Sequence, residues 1–163
     1  MTLEVGALAS HFALLGIDGQ EYSLPQSLDG RPAVLVFFKT TCATCDLAFP
    51  YINQLPEAYP ANGWRLWAIS QDPPDRSAEY ARGYGISYPV LLDAPAFVVS
   101  RLYDPPATPT LFLVDRRGRV AYGTHGFSKD DLNELSRLLA VEIGVSPAVI
   151  AAAGDGRPDF KPG

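Results

Sequence analysis

The stretch Ala33-Val34-Leu35-Val36-Phe37-Phe38-Lys39-Thr40-Thr41-Cys42-Ala43-Thr44-Cys45 decides how the rest of the chain is read. Its first six residues are apolar and largely β-favouring, without alternation, as expected of a strand buried on both faces. After Cys42 the period becomes helical, with Cys45, Ala48/Phe49, Ile52, Leu55 and Tyr59 three or four residues apart. The first cysteine therefore stands where a buried strand ends and a helix begins. A thiol there meets the unpaired N–H groups and the positive dipole end of the helix, which stabilise a thiolate. Cys45 lies one turn further in, within reach of a mixed disulfide formed on Cys42. The spacing predicts Cys42 as the exposed nucleophile and Cys45 as the buried resolving thiol.

Upstream, 11–15 and 21–24 flank Gly16-Ile17-Asp18-Gly19-Gln20 and read as an N-terminal β-hairpin. The active-site helix is expected from Cys42 to about Tyr59, bent at Pro50. Downstream come a strand at 65–70, a helix opened by Pro73-Pro74, a short strand at 89–93 and a short helix at 96–102. A strand at 109–114, the turn Asp115-Arg116-Arg117-Gly118 and a returning strand at 119–124 follow. Ser128 is placed to cap a last helix with Leu132, Leu135, Leu138/Leu139 and Ile143 on one stripe. The pattern gives an α/β fold, a mixed central sheet with helices on both faces. Residues 1–145 form the domain, and 146–163 read as an extension with a short helix over 146–153 and a loose tail.

A chain of 163 residues with 47% hydrophobic and 19% charged residues is long enough for one well-packed domain. The net charge of −5 argues against nucleic acid as a partner, and no apolar run reaches the length of a membrane span. Glu4 stands where a signal peptide carries basic residues, which points to a cytoplasmic protein. An exported chain whose leader had been removed would start in a similar way. Two cysteines in a single motif argue against a disulfide scaffold, because a bridge over so short a loop constrains little of the unfolded chain.

Strand, Cys-x-x-C and helix with Pro50, then Tyr84-Gly85-Ile86-Ser87-Tyr88-Pro89-Val90-Leu91-Leu92-Asp93 and Ala107-Thr108-Pro109-Thr110-Leu111-Phe112-Leu113-Val114-Asp115, resemble the thioredoxin-like superfamily. The resemblance, over residues 3–142, is to its redoxin branch. That branch contains the TlpA/ResA-like thiol–disulfide oxidoreductases and the alkyl hydroperoxide reductase/thiol-specific antioxidant relatives. It implies a thioredoxin-like sheet, a redox-active Cys42–Cys45 disulfide and a part in cell redox homeostasis or antioxidant activity. Taken alone, Pro109 fits an ordinary trans proline entering a strand as well as a cis one. The resemblance makes it a cis-proline facing the cysteines, with Thr108 exposing its backbone to substrate and Thr41 beside the first cysteine.

Three departures accompany it. Thr41 replaces a tryptophan common before the first cysteine. Val36 and Ala48 stand where thioredoxin itself and many TlpA/ResA-like proteins carry a carboxylate able to take the proton of the second cysteine. Asp46 is expected to point away as a solvated first-turn acid, and Lys39, His11, His125 and the Arg116/Arg117/Arg119 cluster read as surface residues. No Gly-rich phosphate loop and no second donor pair for a metal accompany the motif, so no cofactor is expected. The expected function is disulfide exchange with protein thiols and disulfides, more as reductase than as oxidase, in a monomer served by an upstream electron donor. A thiol peroxidase of the peroxiredoxin type is the first alternative. Its Pro-x-x-x-Thr/Ser-x-x-Cys pattern fits neither cysteine, since Leu35 and Lys39, or Phe38 and Cys42, fill the required positions. A Cu(I)-handling or haem-assembly module is the second, with two thiolates as too few ligands for a selective site.

Overall fold

The computed structural model describes all 163 residues. Strands β1 (Phe12–Leu15) and β2 (Glu21–Leu24) pair as the expected hairpin. The central strand β3 (Ala33–Phe38) is wholly buried, which explains its uninterrupted apolar run. Its side chains alternate, as the pleat requires. Val34, Val36 and Phe38 enter one core and Ala33, Leu35 and Phe37 the other.

β3 lies parallel to β4 (Arg65–Ser70), which lies parallel to β5 (Val90–Leu92). On its other side β3 runs antiparallel to β6 (Thr110–Val114), which pairs with β7 (Val120–His125). The sheet order is β5-β4-β3-β6-β7. Helices α1 (Ala43–Ile52), α2 (Gln54–Ala58), α3 (Pro74–Gly83) and α5 (Lys129–Ile143) contribute to the first core. The hairpin and α4 (Val98–Tyr103) cover the second, where Tyr103 meets the rings of Phe12, Phe37 and Phe112. Ser128 caps α5 as expected, its Oγ accepting from the Asp131 N–H at 3.2 Å.

Two expectations need correction. The helix expected from Cys42 to Tyr59 is divided into two at Asn53. Pro50 is carried inside α1, whereas Pro56 lacks the N–H that would bond the Ile52 carbonyl and its ring would press on that oxygen. The other concerns residues 146–163. No helix forms over 146–153, and Ile150 and Ala151 are buried in the first core. The tail is docked: β9 (Phe160–Lys161) pairs antiparallel with β8 (Phe127–Ser128). Its Ala-, Gly- and Pro-rich composition conceals this, because the docking uses mainly backbone and two aspartates.

Candidate active site

The register of the sheet assembles the site. Antiparallel pairing sets Thr110, the first residue of β6, opposite Phe37 near the end of β3, and His125, the last of β7, opposite Thr110. The loops after β3, before β6 and after β7 thus converge at one end of the sheet. This brings Thr108 to Cys42 across 66 residues of sequence.

Cys42 is the N-cap of α1, with extended backbone at φ −126° and ψ 106°. Its Sγ accepts the Cys45 N–H at 3.1 Å, so the sulfur takes the role that a serine or aspartate oxygen usually plays. Negative charge that develops on it during thiol exchange is met by the first turn of the helix. Thr108 closes the other side: its carbonyl accepts the Cys42 thiol at 3.3 Å, and its Oγ1 hydroxyl donates to the same sulfur at 3.4 Å. The Thr108–Pro109 peptide is cis, and the Pro109 carbonyl accepts the Gly126 N–H at 2.8 Å, tying the loop after β7 to the loop before β6. Thr41 is exposed beside the pair.

The two thiols are free and unequal. Cys42 is half-buried and Cys45 fully buried. Burial pushes the Cys45 thiol well above its ordinary value, and the neighbouring Cys42 thiol adds to the rise. The Lys39 backbone and the Thr108 hydroxyl oppose that shift only in part. No carboxylate stands among these groups. Val36 and Ala48 are buried in the same apolar core as Cys45, as the missing acids led one to expect. Asp46, expected to be a solvated first-turn acid, is half-buried, and its Oδ1 accepts the Tyr80 hydroxyl at 2.8 Å. Lys39, His11, His125, Arg116, Arg117 and Arg119 are all exposed.

Sequence reasoning missed Thr44 and Gly126. Thr44 is buried because the tail covers it, and its hydroxyl donates to the Pro162 carbonyl at 2.7 Å. Gly126, at φ +70°, is required by close approach, since a Cβ there would stand 3.0 Å from Gly163 N and 3.1 Å from the Lys161 carbonyl. The only signal in the sequence was a glycine between the last strand and the capping serine. A cleft of about 530 Å³ lies elsewhere, between the hairpin and Trp64, Trp67 and Tyr88, and has no site residue in its wall. No cluster of three or more metal-binding side chains exists in the chain.

Residues 5–123 match the AhpC/TSA family. The chain belongs to that family. Within it, the chain is similar to the thiol-disulfide oxidoreductase ResA of Geobacillus thermodenitrificans, at 30% identity over 132 residues, 80% of this chain and 75% of the relative. ResA of Geobacillus kaustophilus is 31% identical over 130 residues, 78% of this chain and 74% of the relative. Among solved structures, a candidate DsbE-type thiol:disulfide interchange protein of Chlorobium tepidum superposes with a TM-score of 0.79 at 29% identity, covering 88% of this chain and all of its own. A secreted disulfide oxidoreductase of Mycobacterium tuberculosis shares the fold with a TM-score of 0.65 at 24% identity, over 80% of this chain and 95% of its own.

For this AhpC/TSA-family chain, burial predicts the order of chemical modification. Iodoacetamide applied to the reduced protein near neutral pH is expected to label Cys42 first and to leave Cys45 unlabelled until the protein is unfolded. Peptide mapping checks this, and equal labelling of both thiols would reverse the assignment of roles.

Proposed function

We propose that the chain is a thiol–disulfide oxidoreductase that reduces disulfides in protein substrates. The observation that carries this reading is Cys42 Sγ at the N-cap of α1, reachable from solvent, with the buried Cys45 thiol one helical turn behind it. Cys42 thiolate attacks one sulfur of a substrate disulfide, forming a mixed disulfide and releasing the other sulfur as a thiolate that takes up a proton. Cys45 then loses its proton, attacks Cys42 Sγ, closes the Cys42–Cys45 bridge and frees the second substrate thiol. Two electrons pass from the pair to the substrate. An upstream dithiol donor reopens the bridge, and the protein works as a monomer. Thr41 and the backbone of Thr108 face the incoming chain, which adds to the Thr108 edge in extended form.

What touches Cys42 supports this direction. Neither hydrogen-bond donor to its sulfur is charged, whereas strongly oxidising pairs owe their potential to a stabilised reduced form. Reduction of insulin with dithiothreitol as electron source tests the activity, and Cys42→Ser is expected to abolish it. A couple near ~−270 mV fits a reductase and one near ~−120 mV would reverse the direction. Peroxide consumption, or tight Cu(I) binding without insulin reduction, would replace this reading by one of the other two.

A further inference from the structure

Residues 152–163 lie over the surface with every residue exposed, yet they are not loose. The main chain is held by the β8–β9 ladder and by the Lys129 N–H, which donates to the Asp159 carbonyl at 3.0 Å. Beneath it sits a buried lysine. Lys129 Nζ reaches Asp155 Oδ1 at 2.7 Å, Asp159 Oδ1 at 3.3 Å and the Arg157 carbonyl at 3.3 Å. The Tyr51 hydroxyl donates to the other oxygen of Asp155, and the Arg157 guanidinium lies 5.7 Å from the Tyr51 ring.

Past this clasp the chain runs into the active site. Pro162 accepts the hydroxyl of Thr44, the residue between Ala43 and Cys45, and Gly163 lies against Gly126, Ala107 and the Thr108 carbonyl. A Cβ on Gly163 would stand 2.7 Å from that of Ala107 and 2.8 Å from the Thr108 oxygen. The same Thr108 oxygen is 3.3 Å from Cys42 Sγ. The end of the segment thus touches the first turn of α1 and the loops before β6 and after β7. An extended peptide pairing with Thr108 would need the space that Gly163 fills.

We propose that residues 159–163 are a strap lying in the substrate groove, which a disulfide-bearing peptide must lift before it can pair beside Cys42. The inference rests on the disulfide-exchange reading above. The strap is built to peel: none of its side chains is buried, its ladder is two residues long, and Gly154 and Gly156 flank Asp155 with positive φ. Ile150 and Ala151 stay packed in the core and anchor the segment that leads to it. The lock is not a pH device near neutrality. Lys129, assisted by Tyr51, holds the Asp155 carboxyl well below the usual carboxylate range, so the pairing is complete above that range and is lost only as pH falls through the depressed value. Asp155 in turn keeps Lys129 charged beyond its ordinary range, so the pair survives on the basic side as well. A competing chain is what displaces the strap. The device selects flexible, extended disulfide peptides over compact folded ones, because only the former can replace a strand in the groove.

The test compares the full chain with one ending at Pro158, using a synthetic disulfide-cyclised peptide and, separately, oxidised glutathione. A strap open about one part in ten lowers apparent affinity about tenfold, so its removal is expected to raise kcat/KM for the peptide about tenfold. Glutathione disulfide, too short to pair along the groove, is expected to gain less. Full-length Asp155→Asn/Asp159→Asn loosens the clasp without shortening the chain and is expected to shift peptide kinetics the same way. Hydrogen exchange reads the strap directly. With the peptide held on Cys42 in a Cys45→Ser chain, the Lys129 amide, which donates to the Asp159 carbonyl, and the hydrogen-bonded amides of the β8–β9 ladder are expected to lose protection. Equal kcat/KM with and without the strap, or unchanged protection with the peptide attached, would overturn the strap alone. A chain that exchanges no disulfide in either form would overturn the oxidoreductase reading and the strap with it.

Discussion

Cys45→Ser is expected to accumulate a covalent adduct between Cys42 and a substrate protein, while Cys42→Ser accumulates none. The asymmetry follows from geometry. Cys42 is the thiol that solvent and Thr108 reach, so the first exchange needs only that sulfur. Cys45 is buried behind it, and its removal leaves the mixed disulfide without an internal nucleophile. Multiple turnover should fall to background in both variants, so the adduct rather than the rate tells the roles apart. Non-reducing gels of the variants incubated with a disulfide substrate decide the matter. An equal yield of adduct from both would show that the order of attack is not fixed by burial.

The second large effect concerns the proton on Cys45. Its thiol is pushed up chiefly by burial, and the side chains that replace the missing acids, Val36 and Ala48, are apolar. Deprotonation is therefore expected to limit resolution. Below the raised value the thiolate fraction climbs about tenfold per pH unit, and single-turnover resolution of a mixed disulfide on Cys42 should climb with it. Ala48→Glu places a carboxylate three residues further along the same helical face. It is expected to raise the rate near neutral pH by up to about a hundredfold and to flatten the profile, as a well-placed general base does. Because Ala48 is buried, the new carboxyl carries a desolvation cost, and the melting temperature should be followed in parallel. A wild-type rate that is fast and level from mildly acidic to basic pH would show that another base serves Cys45.

How far the sequence could be read depended on where each hydrogen bond goes. β3, β4 and β6 were legible because strands buried on both faces write themselves as short apolar runs. Cys42 and Cys45 were legible because one sequence interval spans the junction from strand to helix. The break at Asn53 was not, because two prolines compete within one helical pattern and only the packing of α2 shows which one interrupts it. The docked tail left still less trace. Its contacts run through the carbonyls of Asp159 and Pro162 and through backbone pairing at Phe160 and Lys161, which any sequence can supply. Lys129 was hidden for a similar reason, since a lysine on the first turn of a helix ordinarily points to solvent. Only the partners Asp155 and Asp159, 26 and 30 residues away in the numbering, make its burial possible.

Placing the second thiol behind the first also governs what an oxidant does to the protein. If peroxide converts Cys42 to a sulfenic acid, Cys45 stands within reach to condense with it, releasing water and forming the same bridge that substrate turnover forms. The damaged state and the working oxidised state are then one species, reopened by one donor. A lone exposed thiol would continue to sulfinic acid, from which ordinary reductants do not return it. Burial of Cys45 thus shields the resolving sulfur from direct attack and keeps its partner on the reversible rungs of oxidation.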